Sequence, residues 1–237
     1  MPPSDLAVAV ASAPGQVLGR SNPVHLAPSE RARRAVNVAV AAVGLLLVTP
    51  VMALIALAIR LTSPGPIFYR QTRIGLDRRH GLGGNYRRRV DLGGKPFTIL
   101  KFRTMRTDRG GAPEVWASAD DPRVTPLGRV LRKYRLDELP QLLNVLRGEM
   151  NVVGPRPEQP TIFASLRAQV PGYSLRQRVR PGITGWAQIN HHYDVTVEDV
   201  RRKVGFDLEY LGRSSVTEDL RIMLQTVPAV VLRQGGW

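Results

Sequence analysis

The stretch that decides the fold is Val36–Leu61, VNVAVAAVGLLLVTPVMALIALAIRL. It carries one polar amide, Asn37, and no charged side chain before Arg60. About 20 predominantly apolar residues are enough for a helix to cross the hydrocarbon core of a bilayer. The segment therefore predicts one long helix in contact with a membrane.

Two features of this segment argue against a simple crossing. Pro50 lies in its middle, where it removes a backbone donor and clashes with the preceding turn, so we expect a kink there; the hydroxyl of Thr49 can satisfy a freed carbonyl. Both flanks are also basic, and Lys and Arg favour the cytoplasmic side of a membrane. The flanking arginines are Arg31, Arg33 and Arg34 before the segment and Arg60, Arg70, Arg73, Arg78 and Arg79 after it.

A hairpin accounts for these features better than a span. Each half of the segment, at 1.5 Å per residue, reaches only roughly 15–20 Å, short of the roughly 30 Å hydrocarbon core. A Pro-broken re-entrant helix that dips into one leaflet places both basic flanks on the same side, and a single span kinked at Pro50 is the alternative. We therefore expect a disordered tail over residues 1–30, the re-entrant membrane helix over 31–62 and a cytoplasmic-face domain over 63–237.

The remaining chain predicts a membrane-monotopic α+β protein, mainly helical with a small β-hairpin. Ile67–Arg73 and Lys95–Met105 are predicted strands, separated by the Arg- and Gly-rich stretch Arg78–Gly94. Pro126–Arg147 has apolar residues at helical spacing, and Pro140 within it predicts a new helix opening near Asp137. The later elements are a rigid turn at Val152–Pro157, a polar helix near Pro160–Val170, a Gly/Pro loop at Arg180–Trp186 and a last amphipathic helix from Thr217–Asp219.

The charge of the chain indicates an anionic partner. The formal net charge is +15, and such an excess is typical of proteins that meet nucleic acid, acidic membranes or phosphorylated substrates. Between Arg60 and Arg106, twelve Lys and Arg face only two Asp, so the charge is concentrated beside the membrane segment. The chain has no Cys, which excludes disulfides, thiolate metal sites and a Cys nucleophile, and its 6% aromatic content is low for a protein that stacks bases.

The pair Asp137-Glu138 is the strongest candidate for catalysis. Taken alone, adjacent carboxylates at a helix opening are more often a cap and a solvated charge. Here Arg132, Lys133 and Arg135 precede them, which favours the ionised form. An ionised carboxylate can attack phosphorus to give an acyl-phosphate, and its neighbour can hold Mg²⁺, which prefers hard oxygen ligands and substrate phosphates.

Basic residues elsewhere could complete a phosphate site. Arg156 lies between Pro155 and Pro157 and would offer a stiff guanidinium fork to a diphosphate. Lys101 and Arg103 on the second predicted strand and Arg180 in the Gly/Pro loop are further candidates. Together they would form the electrostatic cradle that phosphoryl transfer needs. The pair His191-His192 has no partner at metal-ligand spacing, and no nucleotide-binding or zinc-protease motif is present.

Three motifs in this order carry a family resemblance: KFRTM at Lys101–Met105, RKYRLDELPQLLNVLRGEMNVVGPRPE at Arg132–Glu158, and RPGITGWAQIN at Arg180–Asn190. With the Pro-interrupted apolar helix before them, they resemble the bacterial sugar transferase family, the monotopic polyprenyl-phosphate phosphoglycosyl transferases. The resemblance covers Arg34–Arg233. It departs from the family pattern in having Thr49 where a Ser precedes the proline and in the long Arg78–Gly94 stretch, and we expect the small form of the family with an added tail.

The resemblance implies a function at the cytoplasmic face of the bacterial inner membrane. Asp137 would attack the β-phosphate of a UDP-sugar, release UMP and pass the phosphosugar to polyprenyl (undecaprenyl) phosphate, with Glu138 supporting Mg²⁺ and Arg156 binding phosphate. This is the first membrane step of glycan assembly, such as exopolysaccharide or lipopolysaccharide. The implied partners are UDP-sugar, polyprenyl phosphate and anionic membrane lipids, with no nucleic acid and with oligomerisation left open.

Two other functions are compatible with parts of the sequence. A hydrolase would use the same residues but release free sugar phosphate without a lipid acceptor. A membrane-tethered basic binding protein without catalysis would account for the net charge. The low aromatic content and the absence of a nucleic-acid-reading motif count against the second alternative.

Overall fold

The computed structural model describes residues 28–77, 93–106, 121–191 and 196–231. Residues 1–27 of the predicted tail and 78–92 of the Arg- and Gly-rich stretch lie outside the described residues. The first helix, α1, spans Pro28–Thr62, so it begins before the predicted boundary at residue 31. Within the described ranges, Glu30–Thr62 is the one helical segment long and apolar enough to cross a membrane, judged by length and composition.

Pro50 lies inside α1 without ending it. The hydroxyl of Thr49 donates to the carbonyl of Leu45, 2.6 Å away, whereas a proline at position 50 removes the amide partner of the carbonyl four residues earlier, that of Leu46. The helix is continuous across Pro50, and the break predicted there is not confirmed. The apolar side chains just before Pro50 are exposed. Leu46 is 77% exposed and Leu47 is 71% exposed.

A β-hairpin follows α1, as the sequence predicts. Strands β1 (Phe68–Ile74) and β2 (Pro96–Phe102) are antiparallel, in a register that opposes Phe68 to Phe102 and Ile74 to Pro96. Phe97 and Ile99 of β2 are buried in a hydrophobic cluster. Phe102, on the opposite face of β2, is buried in a second cluster, so the hairpin is anchored by both faces, and Lys101 lies near its end.

The next segment contains two short helices with a 3₁₀ turn between them. Helix α2 (Pro126–Lys133) is capped by Thr125, whose side chain accepts from the Gly128 amide. The 3₁₀ turn is Leu136–Glu138, and α3 is Gln141–Leu146. The new helix predicted near Asp137 thus opens a turn later, because Pro140 lacks an amide and is best accommodated where a helix starts. Asp137 itself lies in the 3₁₀ turn.

The two Gly/Pro loops of the sequence are in part a pair of parallel strands. Strands β3 (Asn151–Val153) and β4 (Gly182–Thr184) pair directly, although the sequence predicts only turns here. Three-residue strands are too short to display the two-residue alternation that identifies a strand. Glycines allow the approach, since a Cβ on Gly154 would lie 2.3 Å from the Arg180 carbonyl oxygen.

Helices complete the domain. The polar helix predicted near Pro160–Val170 is α4, Pro160–Gln169, and the last predicted helix is α7, Val216–Val231. Between them lie a 3₁₀ segment at Tyr173–Arg178, α5 (Trp186–Asn190) and α6 (Val197–Arg213). The sequence analysis missed α6, although its capping box of Thr196 and Asp199 marks a helix start. The fold is mainly helical with small sheets, as predicted.

Both arms of α1 pack on this domain. Before Pro50, the guanidinium of Arg33 binds Asp219 at 2.9 Å and Tyr210 at 2.6 Å, all three buried. After Pro50, Ile55 and Ile59 join a hydrophobic cluster with Phe102 and Leu131. The most exposed part of the helix lies between these two contact regions.

Candidate active site

The predicted carboxylate pair sits in the 3₁₀ turn Leu136–Glu138, below the surface of the domain. Asp137 is 7% exposed and Glu138 5%. Arg135, which links α2 to this turn, has a left-handed backbone with φ 53°, a conformation that L-residues adopt rarely. Such residues are retained where the surrounding structure over-determines them, often at functional sites. The turn thus buries two adjacent acids.

Two cations from distant parts of the sequence meet Glu138. Its Oε1 accepts from Lys101 Nζ at 2.7 Å and from Arg156 Nη2 at 3.0 Å. The same Lys101 Nζ lies 3.9 Å from Oδ2 of Asp137. Lys101 therefore bridges the two carboxylates from the end of β2. These four residues form what we call the dyad cradle: Lys101, Asp137, Glu138 and Arg156.

The same surroundings shift the pKa values of the two acids in opposite directions. Burial by itself would raise the pKa of Glu138, but the charges of Arg156, Lys101 and Arg135 outweigh it and hold that pKa well below its usual range. Burial also raises the pKa of Asp137, and there the charge of Lys101 does not overcome burial and the neighbouring Glu138 anion. Glu138 is the ionised partner of the cradle, and Asp137 is the acid with the more basic oxygens.

The sequence predicts that the preceding basic residues favour the ionised form of Asp137, but burial outweighs the nearby positive charges and raises its pKa. Arg132 instead donates through Nε to the Thr104 hydroxyl at 2.9 Å, and Lys133 lies over the ring of Tyr134. The charge of Arg132 still acts to lower the pKa of Asp137, but less than that of Lys101. The cation close to Asp137 is Lys101, from another element.

Arg156 is brought to the cradle by the loop that follows β3. Its side chain is 39% exposed, so the guanidinium faces Glu138 on one side and remains accessible to a ligand. The charge of Glu138 raises the pKa of Arg156, so the guanidinium is a permanent cation here. The predicted role of Arg156 as a phosphate ligand is compatible with this placement.

The other two arginines predicted to bind phosphate have partners elsewhere. Arg103 Nη2 donates to the Ser63 carbonyl at 2.8 Å and to the Ser63 hydroxyl at 2.7 Å, and Nη1 donates to the Pro64 carbonyl. Arg180 pairs with Glu30 at 3.0 Å and donates to the Gly148 carbonyl. The structure thus places Arg103 at the end of α1 and Arg180 at its start, while Lys101 and Arg156 meet the dyad.

A buried ionic network behind Arg156 was missed by the sequence analysis. Arg176 binds Asp207 at 2.6 Å, and Lys203 binds Glu158 at 3.0 Å. One signal could have found it: Asp207 occupies the core face of α6, together with Val200, Val204 and Tyr210. A carboxylate among buried apolar residues requires a cationic partner.

A divalent cation at this site would need hard oxygen ligands. Asp137 and Glu138 supply carboxylates, which Mg²⁺ accepts together with substrate phosphates and water. Oε1 of Glu138 already accepts from Lys101 and Arg156, and the described part of the chain holds no group of three or more His, Cys, Asp or Glu able to bind a metal. Two carboxylates alone would leave most positions of a magnesium ion to a substrate diphosphate and to water. His191 lies near Phe206 instead, and His192 falls outside the described residues.

Comparisons with known proteins agree with the motifs. A family model described as bacterial sugar transferase matches residues 28–82 and 84–233. Over 197 residues the chain is 43% identical to the UDP-glucose:undecaprenyl-phosphate glucose-1-phosphate transferase of Escherichia coli (strain K12), an alignment that covers 82% of this chain but 39% of that protein. A protein of the same name from Caulobacter vibrioides is 42% identical over 207 residues, which cover 86% of this chain and 72% of the relative.

The name of another relative, which the alignment covers almost completely, refers to exopolysaccharide production. The exopolysaccharide production protein ExoY of Rhizobium meliloti (strain 1021) is 37% identical over 222 residues, which cover 87% of this chain and 88% of the relative. The comparisons therefore match nearly all of the described fold, from α1 to α7.

Proposed function

The chain belongs to the bacterial sugar transferase family, and from this premise we propose that it transfers a phosphosugar from a UDP-sugar to undecaprenyl phosphate and releases UMP. The single observation that carries the proposal is the dyad cradle, in which two buried adjacent carboxylates are bridged by Lys101 and joined by Arg156. Phosphoryl transfer needs positioning and fixed positive charge around a diphosphate. The cradle supplies both next to a carboxylate nucleophile.

In the proposed first step, an oxygen of ionised Asp137 attacks the β-phosphorus of the UDP-sugar. A bond forms between that oxygen and phosphorus, and the bond from phosphorus to the bridging oxygen breaks, so UMP leaves with the bridging oxygen and its electron pair. Burial raises the pKa of Asp137, which makes the ionised oxygen more basic. Lys101, 3.9 Å away, favours the ionised form that attacks.

In the second step, a phosphate oxygen of the polyprenyl phosphate attacks the phosphorus of the aspartyl-phosphosugar. The bond to Asp137 breaks, and the carboxylate leaves with its electron pair, so the enzyme is restored. Covalent catalysis of this type divides one difficult transfer into two easier ones. Lys101 stabilises the departing carboxylate in this step, as it favours the attacking one in the first.

Glu138 and Arg156 have complementary tasks in the proposal. The low pKa of Glu138 keeps it anionic, and it would hold Mg²⁺ together with the substrate diphosphate. When bound, Mg²⁺ neutralises phosphate charge. Arg156 would bind phosphate oxygens through the part of its guanidinium that faces away from Glu138, because a planar guanidinium can serve two acceptors at once.

We also propose that α1 enters one leaflet of the cytoplasmic membrane and returns, so that the protein is monotopic. The domain holds both ends of the helix: Arg180 pairs with Glu30 at the start, and Arg103 binds Ser63 at the end. A helix that crossed the bilayer would carry one end to the opposite side, away from the domain. The exposed apolar middle of α1 would face acyl chains, and flanking arginines would meet anionic headgroups, where each contributes about 1 kcal/mol.

Cysteine labelling tests this topology. Cysteines introduced singly as Ser29→Cys and Ser63→Cys should both react with an impermeant reagent from the cytoplasmic side only. Labelling of the first from the periplasm alone would establish a span and contradict the monotopic arrangement.

Product analysis tests the reaction. The full chain, purified in detergent with Mg²⁺ and a panel of UDP-sugars headed by UDP-glucose, should release one equivalent of UMP in a burst without lipid. Its mass should then rise by one phosphosugar, and undecaprenyl phosphate should restore turnover. Asp137→Asn should abolish the burst and the adduct, while leaving the fold intact by circular dichroism.

Three other results would each identify a different function. Continuous release of free sugar phosphate without lipid would make the protein a hydrolase. Turnover that requires lipid, with no adduct on rapidly quenched enzyme, would favour direct transfer and make Asp137 a general base. Failure to release UMP from any UDP-sugar would leave the membrane-tethered binding protein as the better description.

A further inference from the structure

The most completely buried cation among the described residues lies behind the active site and has no part in the proposed steps. Arg176 is 1% exposed. Its Nε donates to Asp207 at 2.6 Å, its Nη1 donates to the Tyr173 hydroxyl at 2.8 Å, and its guanidinium carbon lies 4.9 Å from the Tyr173 ring centroid. Two elements of the fold, α6 and the 3₁₀ segment that carries Arg176 itself, therefore meet at this side chain.

The remaining nitrogen of this guanidinium points to the active site. Arg176 Nη2 donates to the backbone carbonyl of Arg156 at 3.1 Å. The Arg156 side chain in turn contacts Glu138 at 3.0 Å. One buried cation thus binds the backbone of the residue whose own cation contacts the dyad.

The loop that carries Arg156 is held by its carbonyls. Pro155 and Pro157 have no amide hydrogen to donate. Four consecutive carbonyls, from residues 155 to 158, accept in turn from the Gly182 amide at 3.0 Å, Arg176 Nη2 at 3.1 Å, Arg73 Nη1 at 3.2 Å and the Ile74 amide at 2.9 Å. The backbone on both sides of the Arg156 side chain is therefore held by these four hydrogen bonds.

Stability alone does not require an ionic pair at this place. A buried ion pair often contributes no more to folding than well-packed apolar side chains of similar volume. An apolar side chain, however, could not donate to the Arg156 carbonyl. What the guanidinium adds is a fixed donor at the centre of the loop.

We propose that Arg176, held by Asp207, is a positioning residue for the phosphate-binding side chain of Arg156; this inference rests on the proposed function. Arg176 touches no reacting atom. It fixes the Arg156 backbone so that the guanidinium meets Glu138 and the substrate diphosphate in one orientation. Loss of the donor should therefore lower transfer through Arg156 alone.

The test is the paired replacement Arg176→Met with Asp207→Leu in the full chain, which removes both charges and leaves no buried ion unpaired. We expect a melting temperature close to that of the wild type and a fall in kcat/KM for the UDP-sugar of about 10²-fold, the loss that a displacement near 1 Å produces. In an Arg156→Ala background the same pair should add little, because coupled residues are non-additive. Arg201→Met, an exposed change on α6, is the matched control and should leave turnover unchanged.

Two results would overturn the inference. One is wild-type turnover in the paired variant; the other is an equal fold loss in the presence and in the absence of the Arg156 side chain, which would mean a general structural role. If the paired variant does not fold, Arg176→Lys replaces it. The lysine keeps the charge near Asp207 but lacks the fork that also reaches the Arg156 carbonyl, so its kcat/KM should fall while Tm is retained.

A second readout separates this inference from the proposed function. The side-chain Nε–H resonance of Arg156, assigned by its loss in Arg156→Ala, should move towards that of a solvated arginine in the paired variant. An unchanged resonance would contradict the positioning role whatever the turnover. Absence of UMP release by the wild type would contradict the proposed function, and the resonance would still decide the role of Arg176.

Discussion

Replacing Arg103 with Met separates two roles for a residue that the sequence assigned to phosphate binding. The guanidinium is buried and donates to the Ser63 carbonyl, the Ser63 hydroxyl and the Pro64 carbonyl. Helix ends leave carbonyls without hydrogen-bond partners. The Arg103 guanidinium supplies donors to the acceptors that follow the end of α1. The change should therefore destabilise the fold and leave the reaction of folded enzyme nearly intact.

The magnitude follows from the bonds that are lost. Pro64 is exposed, so water can replace its bond, and only the two bonds to Ser63 are counted. A hydrogen bond to a charged group contributes about 1.5–3 kcal/mol. Because Ser63 is half-buried, each of the two bonds contributes the lower value, and their loss should lower the free energy of unfolding by about 3 kcal/mol. For a chain of this size that corresponds to a fall in Tm of about 6–12 °C.

Thermal unfolding in detergent, followed by circular dichroism, measures the first quantity, and UMP release at a temperature where the variant is folded measures the second. Arg70→Met, an exposed arginine on β1, is the matched control and should change neither. An unchanged Tm together with a 10–100-fold lower kcat/KM, the loss of about 1.5–3 kcal/mol of phosphate binding, would refute the anchoring role and restore Arg103 as a phosphate ligand.

Three further predictions concern the dyad cradle. Lys101→Met removes a charge that lowers the pKa of Asp137, so that pKa should rise further. The acid limb of the pH profile of kcat/KM should therefore move to higher pH. An acid limb that does not move would contradict the assignment of Asp137 as the nucleophile. Arg156→Lys should lower kcat/KM about 10–100-fold, the equivalent of about 1.5–3 kcal/mol for charged hydrogen bonds, and near-wild-type rates would mean that a point charge suffices. Glu138→Gln and excess EDTA should each stop most turnover, whereas full activity in EDTA would exclude the metal.

The parts of the fold that could be predicted depend on local patterns. The hairpin follows from two runs of strand-forming residues on either side of a Gly-rich stretch, and the last helix follows from the acidic residues that open it. The carboxylate pair was found because its neighbours in sequence form an unusual motif. Each of these signals is contained within a few consecutive residues.

The parts that could not be predicted depend on contacts between residues that are far apart in the sequence. Strands β3 and β4 are three residues each and are recognisable only once paired. The partners of Arg103 and Arg180 lie 40 and 150 residues away, at opposite ends of α1. A basic residue near a catalytic motif has the same chemistry whether it meets a phosphate or a helix end, so the sequence cannot choose between them.

The raised pKa of Asp137 illustrates the same limit in energetic terms. Counting nearby cations predicts a lowered pKa, but the balance between charge and burial depends on which side chains surround the carboxylate. Burial and the Glu138 anion outweigh Lys101 at 3.9 Å. The same Lys101 is 2.7 Å from Glu138, where cations outweigh burial.

These contacts join the apolar helix and the carboxylate pair into one unit. Lys101, which bridges the dyad, lies near the end of β2, and Arg103, which binds the end of α1 at Ser63, follows the last residue of that strand, Phe102. The end of β2 and the residue after it thus present one cation to the dyad and the other to the helix end. Under the proposed function, the Arg103 contact therefore couples the position of the helix end to that of the dyad. Movement of that helix end should alter transfer to lipid more than release of UMP, because only the second step requires an acceptor from the membrane.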